Sequence, residues 1–168
     1  RQRQMCIRDR FNRKTKEELR RLGIARGTAS VELNDRELAR IGIEEQVFIA
    51  YGYQPVMISA GCIQKTSASC DGKGGVLSIS DRYQKKFAVR RYCRDCYNVM
   101  YNSAPLFLAD KAEEVHALAP AELRLDFTTE SSGQVKEICH AYTLAFEKGC
   151  KTEPPMQDYT CLLYTSDA

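Results

Sequence analysis

The stretch Ala29–Gly52, with the sequence ASVELNDRELARIGIEEQVFIAYG, decides the predicted fold class. Its first five residues alternate between apolar and polar side chains, as a half-buried strand does. Asn34 or Asp35 can cap a helix over Arg36–Ile41, and Val47–Tyr51 is a second run with strong β-propensity. A strand, a helix and a strand within so short a distance predict a parallel α/β architecture.

The same alternation returns in the second half of the chain. Asp110–Leu118 is predicted to form a helix, with Asp110 as its cap, and Glu122–Thr128 is predicted to form a strand. A long helix follows from Ser131 or Ser132 and ends at Gly149, because Gly is the residue that helices most often use to stop.

A segment of different character separates these two halves. Cys62–Gly75 is polar and rich in Gly, Ser and Thr, which indicates a long loop. Val76–Ser80 and Lys86–Arg90 then form two β-prone runs on either side of a polar turn, which predicts a hairpin. The expected fold is therefore an α/β domain into which a Cys-bearing loop and a hairpin are inserted.

Length and composition indicate a soluble globular domain. The 168 residues suffice for one hydrophobic core, and 43% of them are hydrophobic while 28% are charged, which excludes a disordered chain. Apolar runs such as Val47–Ala50 and Val56–Ile58 are much shorter than the roughly 20 residues that span a bilayer, so we expect no membrane segment. The net charge of +3 is lower than that of most dedicated nucleic-acid modules.

The two ends of the chain show neither helix caps nor strand alternation. Residues 1–10 (RQRQMCIRDR) and 161–168 (CLLYTSDA) are similar to translated sequencing adapters, so we expect both to be non-native tails around a native part at 11–160. The N-terminal tail contains four Arg and one Asp, and the net charge is therefore no guide to a partner.

Cysteine is the most informative residue type, since the chain has eight of them. We see no secretory signal and therefore expect a cytoplasmic protein, in which metal ligation is favoured over disulfides. Cys93 and Cys96 form a C-x-x-C pair, and thiolates are soft ligands that suit zinc or an iron–sulfur cluster. The alternative is that cysteines such as Cys139 and Cys150 are buried as small apolar residues.

Several stretches resemble peptidase family U-32, the collagenase-like peptidases. They are Val31–Asn34 (VELN), Tyr51–Cys62 (YGYQPVMISAGC), Val89–Asn98 (VRRYCRDCYN), Tyr101–Ser103 (YNS) and Leu123–Thr128 (LRLDFT).

The resemblance implies that residues 11–160 are the C-terminal part of a TIM-barrel-like (β/α) domain whose N-terminal half is missing. Family members studied as enzymes carry a four-iron four-sulfur (4Fe-4S) cluster on four cysteines and hydroxylate RNA bases or a quinone precursor without oxygen. Others are described as collagenases or peptidases. Pro55 stands where the stricter family signature has Cys, and Ala60 where it has Gly, which places the chain in a divergent branch.

The resemblance also implies a ligand set for the cluster. By position, Cys62, Cys70, Cys93 and Cys139 match the family's ligands, and Cys96 is an alternative to Cys93 as the third ligand.

Charged residues on two predicted strands are candidate catalytic groups. Arg124 and Asp126 alternate with apolar neighbours and should point to one face, and Glu32 poses the same case on the earlier strand. An open strand with one solvated face would give the same pattern. In a barrel, charges near strand ends are typical of the active site, where Arg124 would hold an anionic group while Glu32 or Asp126 orients it or transfers a proton.

Three functions follow as expectations. The first is an iron–sulfur enzyme that hydroxylates an RNA base or a small aromatic, with tRNA or rRNA as partner. A basic and aromatic patch suits RNA, although a solvated hairpin end would show the same residues; it consists of Arg90, Arg91, Tyr92, Arg94 and Tyr97. The second is a collagenase-like protease acting on protein substrates, although we find no protease motif and no His placed to activate Ser59 or Cys62. The third is a zinc-stabilised binding domain.

Overall fold

The structure is a computed structural model that describes residues 12–24, 26–67, 69 and 72–161. Within these residues the helices are α1 (Arg13–Arg21), α2 (Asp35–Ile41), α3 (Ile63–Ser67), α4 (Ala112–Ala117) and α5 (Ser132–Lys148). The strands are β1 (Gly27–Thr28), β2 (Gln46–Gly52), β3 (Pro55–Ser59), β4 (Gly75–Ser80), β5 (Lys86–Tyr92), β6 (Tyr97–Tyr101), β7 (Leu106–Phe107) and β8 (Glu122–Asp126).

The architecture is mixed α/β, with two four-stranded sheets. None of the helices in the described ranges is long and apolar enough to cross a membrane. The expected tail at residues 1–10 lies outside the described residues, and so does the expected tail at 161–168 apart from Cys161.

The first sheet is built around β2. Strands β1 and β8 pair with β2 in parallel, and β7 pairs with it in antiparallel fashion. Since β8 runs along β2 from Val47 to Gly52, the two short strands β1 and β7 share the other edge of β2. The parallel pairing predicted from the strand–helix–strand pattern is therefore present.

Helix α5 covers this sheet through aromatic contacts. Tyr142 packs edge-on against Phe107 and Tyr51, with ring centroids 5.4 and 6.4 Å away. Its hydroxyl donates to the carbonyl of Ala50 (2.6 Å) and accepts from the amide of Leu108 (2.9 Å). These two hydrogen bonds satisfy the buried hydroxyl of Tyr142. They also fix α5 to β2 and to the segment that follows β7.

In α2 and α5, two of the three predicted helices, the ends follow the sequence signals closely. Asn34 caps α2 in a capping box with Glu37, and Ser131 caps α5 in the same way. Gly149 ends α5 in the left-handed conformation, with φ of 63°. The third prediction was wrong, because Asp110 lies within a 3-10 turn that leads into α4 and does not cap a helix.

The predicted strand Ala29–Leu33 is not formed. The strand ends earlier, at Thr28, and the last ladder bond joins the amide of Ala29 to the carbonyl of Val47 (2.9 Å). The next residues form a turn because the chain must reverse before Asn34 can cap α2. Glu32 therefore lies on an exposed turn and not on a strand.

The second sheet is antiparallel and consists of the residues between β2 and β7. Its strand order is β3-β6-β5-β4, and the predicted hairpin is present as β4 and β5, which pair from Gly75 with Arg91 to Ser80 with Lys86. Strands β3 and β6 extend the hairpin into a sheet, and the predicted Cys62–Gly75 loop contains the short helix α3.

Candidate cysteine site and polar strand ends

Three loops meet at one end of the antiparallel sheet. Strand β3 finishes with Ser59 opposite Asn98, the second residue of β6, and β4 begins with Gly75 opposite Arg91, near the end of β5. The loop after β3, the loop before β4 and the turn between β5 and β6 therefore lie at the same end. We call this the cysteine end, comprising residues 60–62, 72–74 and 93–96.

The cysteine end carries most of the cysteines predicted as ligands. Cys62 follows β3, while Cys93 and Cys96 lie in the turn between β5 and β6. The Cys93 thiol donates to the carbonyl of Lys73, with a distance of 3.2 Å between sulfur and oxygen, so the turn contacts the loop before β4. Cys70 precedes Lys73 in that loop and lies outside the described residues.

The backbone around these cysteines is held by specific contacts. Asn98 is buried, and its side-chain amide donates to the carbonyl of Gly61 (2.6 Å), next to Cys62. Tyr92 and Tyr97 stack across the base of the turn, with centroids 4.6 Å apart. Cys96 has a φ of 52°, a left-handed conformation that lets the turn close within four residues.

The donor atoms of the cysteine end suit a soft metal ion or cluster. Cys62 and Cys93 are half-buried, Cys96 is exposed, and all three are free thiols. Among the described residues no three His, Cys, Asp or Glu side chains form a group that could hold a metal ion. Thiolates are soft ligands, so by donor type alone Cys62, Cys93 and Cys96 suit zinc or an iron–sulfur cluster.

Cys139, the fourth predicted ligand, lies on a different element. It is exposed on α5, and the adjacent Ile138 is buried against the first sheet. Sequence reasoning thus grouped cysteines that the fold distributes over the cysteine end and α5.

Arg124 and Asp126 lie together, as the strand alternation predicted. Both are half-buried on β8, and the Arg124 Nε atom is 2.5 Å from Asp126 Oδ1. Asp126 pairs with Gly52 at the carboxyl end of β2, where a Cβ on Gly52 would meet the Asp126 carbonyl oxygen at 2.6 Å. Glu32 follows β1, across β2 from β8, so the structure joins two of the three candidate catalytic residues.

Glu130 is a residue at this edge that sequence reasoning missed. One carboxylate oxygen accepts from the amides of Thr128 (2.6 Å) and Thr129 (2.9 Å), and the other accepts from the Tyr51 hydroxyl (2.9 Å). Burial and the adjacent Glu130 raise the pKa of Tyr51, and the same two causes raise the pKa of Tyr53. The sequence signal that could have identified Glu130 was the position of an acidic residue between the end of β8 and the cap of α5.

Arg90 of the predicted basic patch makes contacts within the protein. Its guanidinium donates to the carbonyl of Thr128 (3.3 Å) and lies 5.7 Å from the centre of the Tyr92 ring. The residue thereby connects the antiparallel sheet to the loop after β8.

Comparison with protein-family models, with curated proteins and with solved structures found no match to this chain.

Proposed function

We propose that the chain is part of a cytoplasmic iron–sulfur enzyme of the peptidase U-32 type, which hydroxylates an RNA base or a small aromatic. The observation that carries the proposal is that Cys62 and the C-x-x-C turn of Cys93 and Cys96 lie at the same end of the antiparallel sheet.

The proposal includes the C-terminal part of a TIM-barrel-like domain. Its support is the parallel pairing of β1, β2 and β8 and the position of α5 directly after β8. In such barrels the carboxyl ends of the strands carry the active site. The Arg124–Asp126 pair lies at that end of β8, where Arg124 would hold an anionic group and Asp126 would orient it. Glu32 is a weaker candidate for proton transfer, because it is exposed and lies across β2 from the Arg124–Asp126 pair.

Two ligand sets are proposed for the cluster. The resemblance favours Cys62, Cys70, Cys93 and Cys139, with Cys96 as the alternative to Cys93. The position of Cys139 on α5 and of Cys96 at the cysteine end instead favours Cys96 in place of Cys139 as the fourth ligand. When bound, a 4Fe-4S cluster would supply electron transfer. The cysteine end itself would hold the cluster and, through the buried Asn98, keep the loop of Cys62 in place.

The test is anaerobic purification and reconstitution of the whole chain, with iron and acid-labile sulfide measured per chain. We expect about four of each together with visible absorbance. Cys93→Ser should abolish the cluster, while Cys150→Ser, an exposed cysteine on the segment after α5, should retain it. A colourless chain that binds no iron after reconstitution would overturn the proposal.

The same preparation distinguishes the two ligand sets. Loss of iron in Cys96→Ser with retention in Cys139→Ser identifies the turn as the source of the fourth ligand. The reverse result identifies α5. The comparison is matched because both cysteines are exposed and both are replaced by the same residue.

A second candidate is a zinc-stabilised binding domain. It is favoured by the small number of buried apolar side chains in the antiparallel sheet, which among the described residues are Val89, Val99 and Tyr101. A structural metal often replaces a core of this size. Bound zinc without sulfide, and unfolding of the sheet by chelators, would support this candidate over the first. Cleavage of gelatin by metal-free chain, lost in Cys62→Ser, would instead support the collagenase-like protease.

A further inference from the structure

A cavity of about 320 Å³ lies between the antiparallel sheet and the carboxyl ends of the parallel strands. One wall is formed by the hairpin β4–β5. Lys86 pairs with Ser80, and Ala88 pairs with Ser78, so four of the lining residues, Val76, Ser78, Lys86 and Ala88, lie on one sheet face. Leu77, between Val76 and Ser78, also lines this wall.

The opposite wall is formed by segments that follow strands. Tyr53 comes directly after β2, Thr129 follows β8, and Asn102 follows β6. Two of these three strands are the parallel neighbours of the first sheet. The carboxyl ends of parallel strands are the usual location of ligand sites in α/β proteins, so the cavity occupies a position that this architecture favours for binding.

The loop after β8 is fixed before any ligand arrives. Glu130 accepts hydrogen bonds from the amides of Thr128 and Thr129, and Arg90 donates to the carbonyl of Thr128 from the hairpin side. A wall held by three hydrogen bonds loses little conformational entropy on binding.

The chemistry of the lining selects for an anion. Among the described residues that line the cavity, Lys86 is the charged one and no carboxylate is present. Tyr53, Ser78 and Thr129 add hydroxyl groups that can donate hydrogen bonds to an anion. Val76 and Ala88 provide apolar surface beside these donors.

We propose that this cavity binds a small organic anion, whose carboxylate pairs with Lys86 while its apolar part lies against Val76 and Ala88. The volume falls in the range of small-molecule sites, roughly 300–1,000 Å³. The proposal does not require a metal at the cysteine end, and it holds or fails independently of the proposed hydroxylase function.

The test uses the metal-free whole chain, with benzoate as the probe and benzamide as its neutral counterpart. Binding is followed by shifts of backbone amide signals in two-dimensional NMR. We expect saturable shifts for Ala88, Asn102 and Thr129 with benzoate, and binding weaker by about fivefold with benzamide, which corresponds to one ion pair near the surface.

Two variants locate the charge. Lys86→Gln should weaken benzoate binding by about fivefold and leave benzamide binding unchanged. Lys85→Gln is the matched control, because Lys85 pairs with Asp158 and does not line the cavity, and we expect no change. Equal weakening by both variants would mean a general charge effect and would overturn the proposal, as would equal affinity for benzoate and benzamide in the unaltered chain.

A third variant tests the cavity itself. Ala88→Leu keeps Lys86 and fills the space between the hairpin and the loops, so it should abolish binding of both probes. Unchanged benzoate binding in Ala88→Leu would show that the anion binds elsewhere. Since Lys86 is exposed and Ala88 is half-buried, thermal unfolding of each variant verifies that the fold is retained.

Discussion

The two sheets of this protein are stabilised in different ways. The first sheet has an apolar core to which β2, β7, α4 and α5 all contribute fully buried side chains, including Tyr51, Phe107, Val115 and Ile138. The antiparallel sheet buries much less. Its edge strand β3 exposes Val56, Met57 and Ile58 to solvent by 55%, 53% and 71%.

This difference concentrates the stabilising apolar contacts in one part of the molecule. Burial of apolar surface stabilises by about 25 cal/mol per Å², so the first sheet and α5 hold most of the stabilising contacts. The stability of the antiparallel sheet depends more on its hydrogen-bond ladders and on the contacts between the loops of the cysteine end. A metal bound there would stabilise the part of the fold that apolar burial stabilises least.

The largest test of the comparison is Phe107→Ala in β7. The side chain is completely buried and contacts Tyr142, so its removal leaves a cavity in the first core and should cost about 3–5 kcal/mol of the free energy of unfolding. Urea denaturation followed by circular dichroism measures the loss.

Phe87→Ala in β5 is the matched control for this substitution. It removes the same side chain from the antiparallel sheet, where Phe87 is only half-buried, and we expect a cost of about 1–2 kcal/mol. If the two substitutions cost the same, the division into a well-packed sheet and a sparsely packed sheet is wrong.

The second test uses pH. Burial and Glu130 raise the pKa of Tyr51 above its ordinary value near 10, so the folded chain keeps a proton that the unfolded chain releases. This contribution to stability is complete below pH 10 and decreases as the pH rises above it, by up to about 1.4 kcal/mol per pH unit. Urea midpoints between pH 8 and pH 11 measure the slope.

Tyr51→Phe identifies the group responsible. The variant loses the hydrogen bond to Glu130 and should be less stable at pH 8 by about 1 kcal/mol. Its stability should decrease less steeply above pH 10 than that of the unaltered chain. An unchanged slope in the variant would assign the alkaline loss to another tyrosine, of which Tyr142 is the next candidate because burial raises its pKa as well.

Local signals in the sequence predicted the elements whose ends are set by neighbouring residues. The cap of α2 at Asn34, the cap of α5 at Ser131 and the end of α5 at Gly149 depend on hydrogen bonds within a few residues, and the sequence contains all of them. The misplaced strand at Ala29–Leu33 had the right alternation. The prediction failed because the chain turns just before the cap of α2, and the alternation of apolar and polar residues does not encode that turn.

The candidate sites depend on register between distant strands, which one sequence does not contain. Arg124 and Asp126 were predicted to share a face because they are two residues apart on one strand. The placement of Cys62 at the same sheet end as Cys93 and Cys96 depends on the pairing of β3 with β6, and β3 was not predicted as a strand. Glu130 could not be identified because its partner Tyr51 lies 79 residues away.

The smallest expected effect is that of Met57→Thr on β3. The side chain is 53% exposed, and threonine suits a strand, so the free energy of unfolding should change by less than about 0.5 kcal/mol. Urea denaturation at low and high protein concentration measures both the change and any dependence on self-association. Burial of a large apolar side chain stabilises a protein by about 1.5 kcal/mol or more, so a loss above about 1.5 kcal/mol would show that this face of β3 is covered in solution. The antiparallel sheet would then have an apolar contact of its own, and its stability would not depend on the cysteine end.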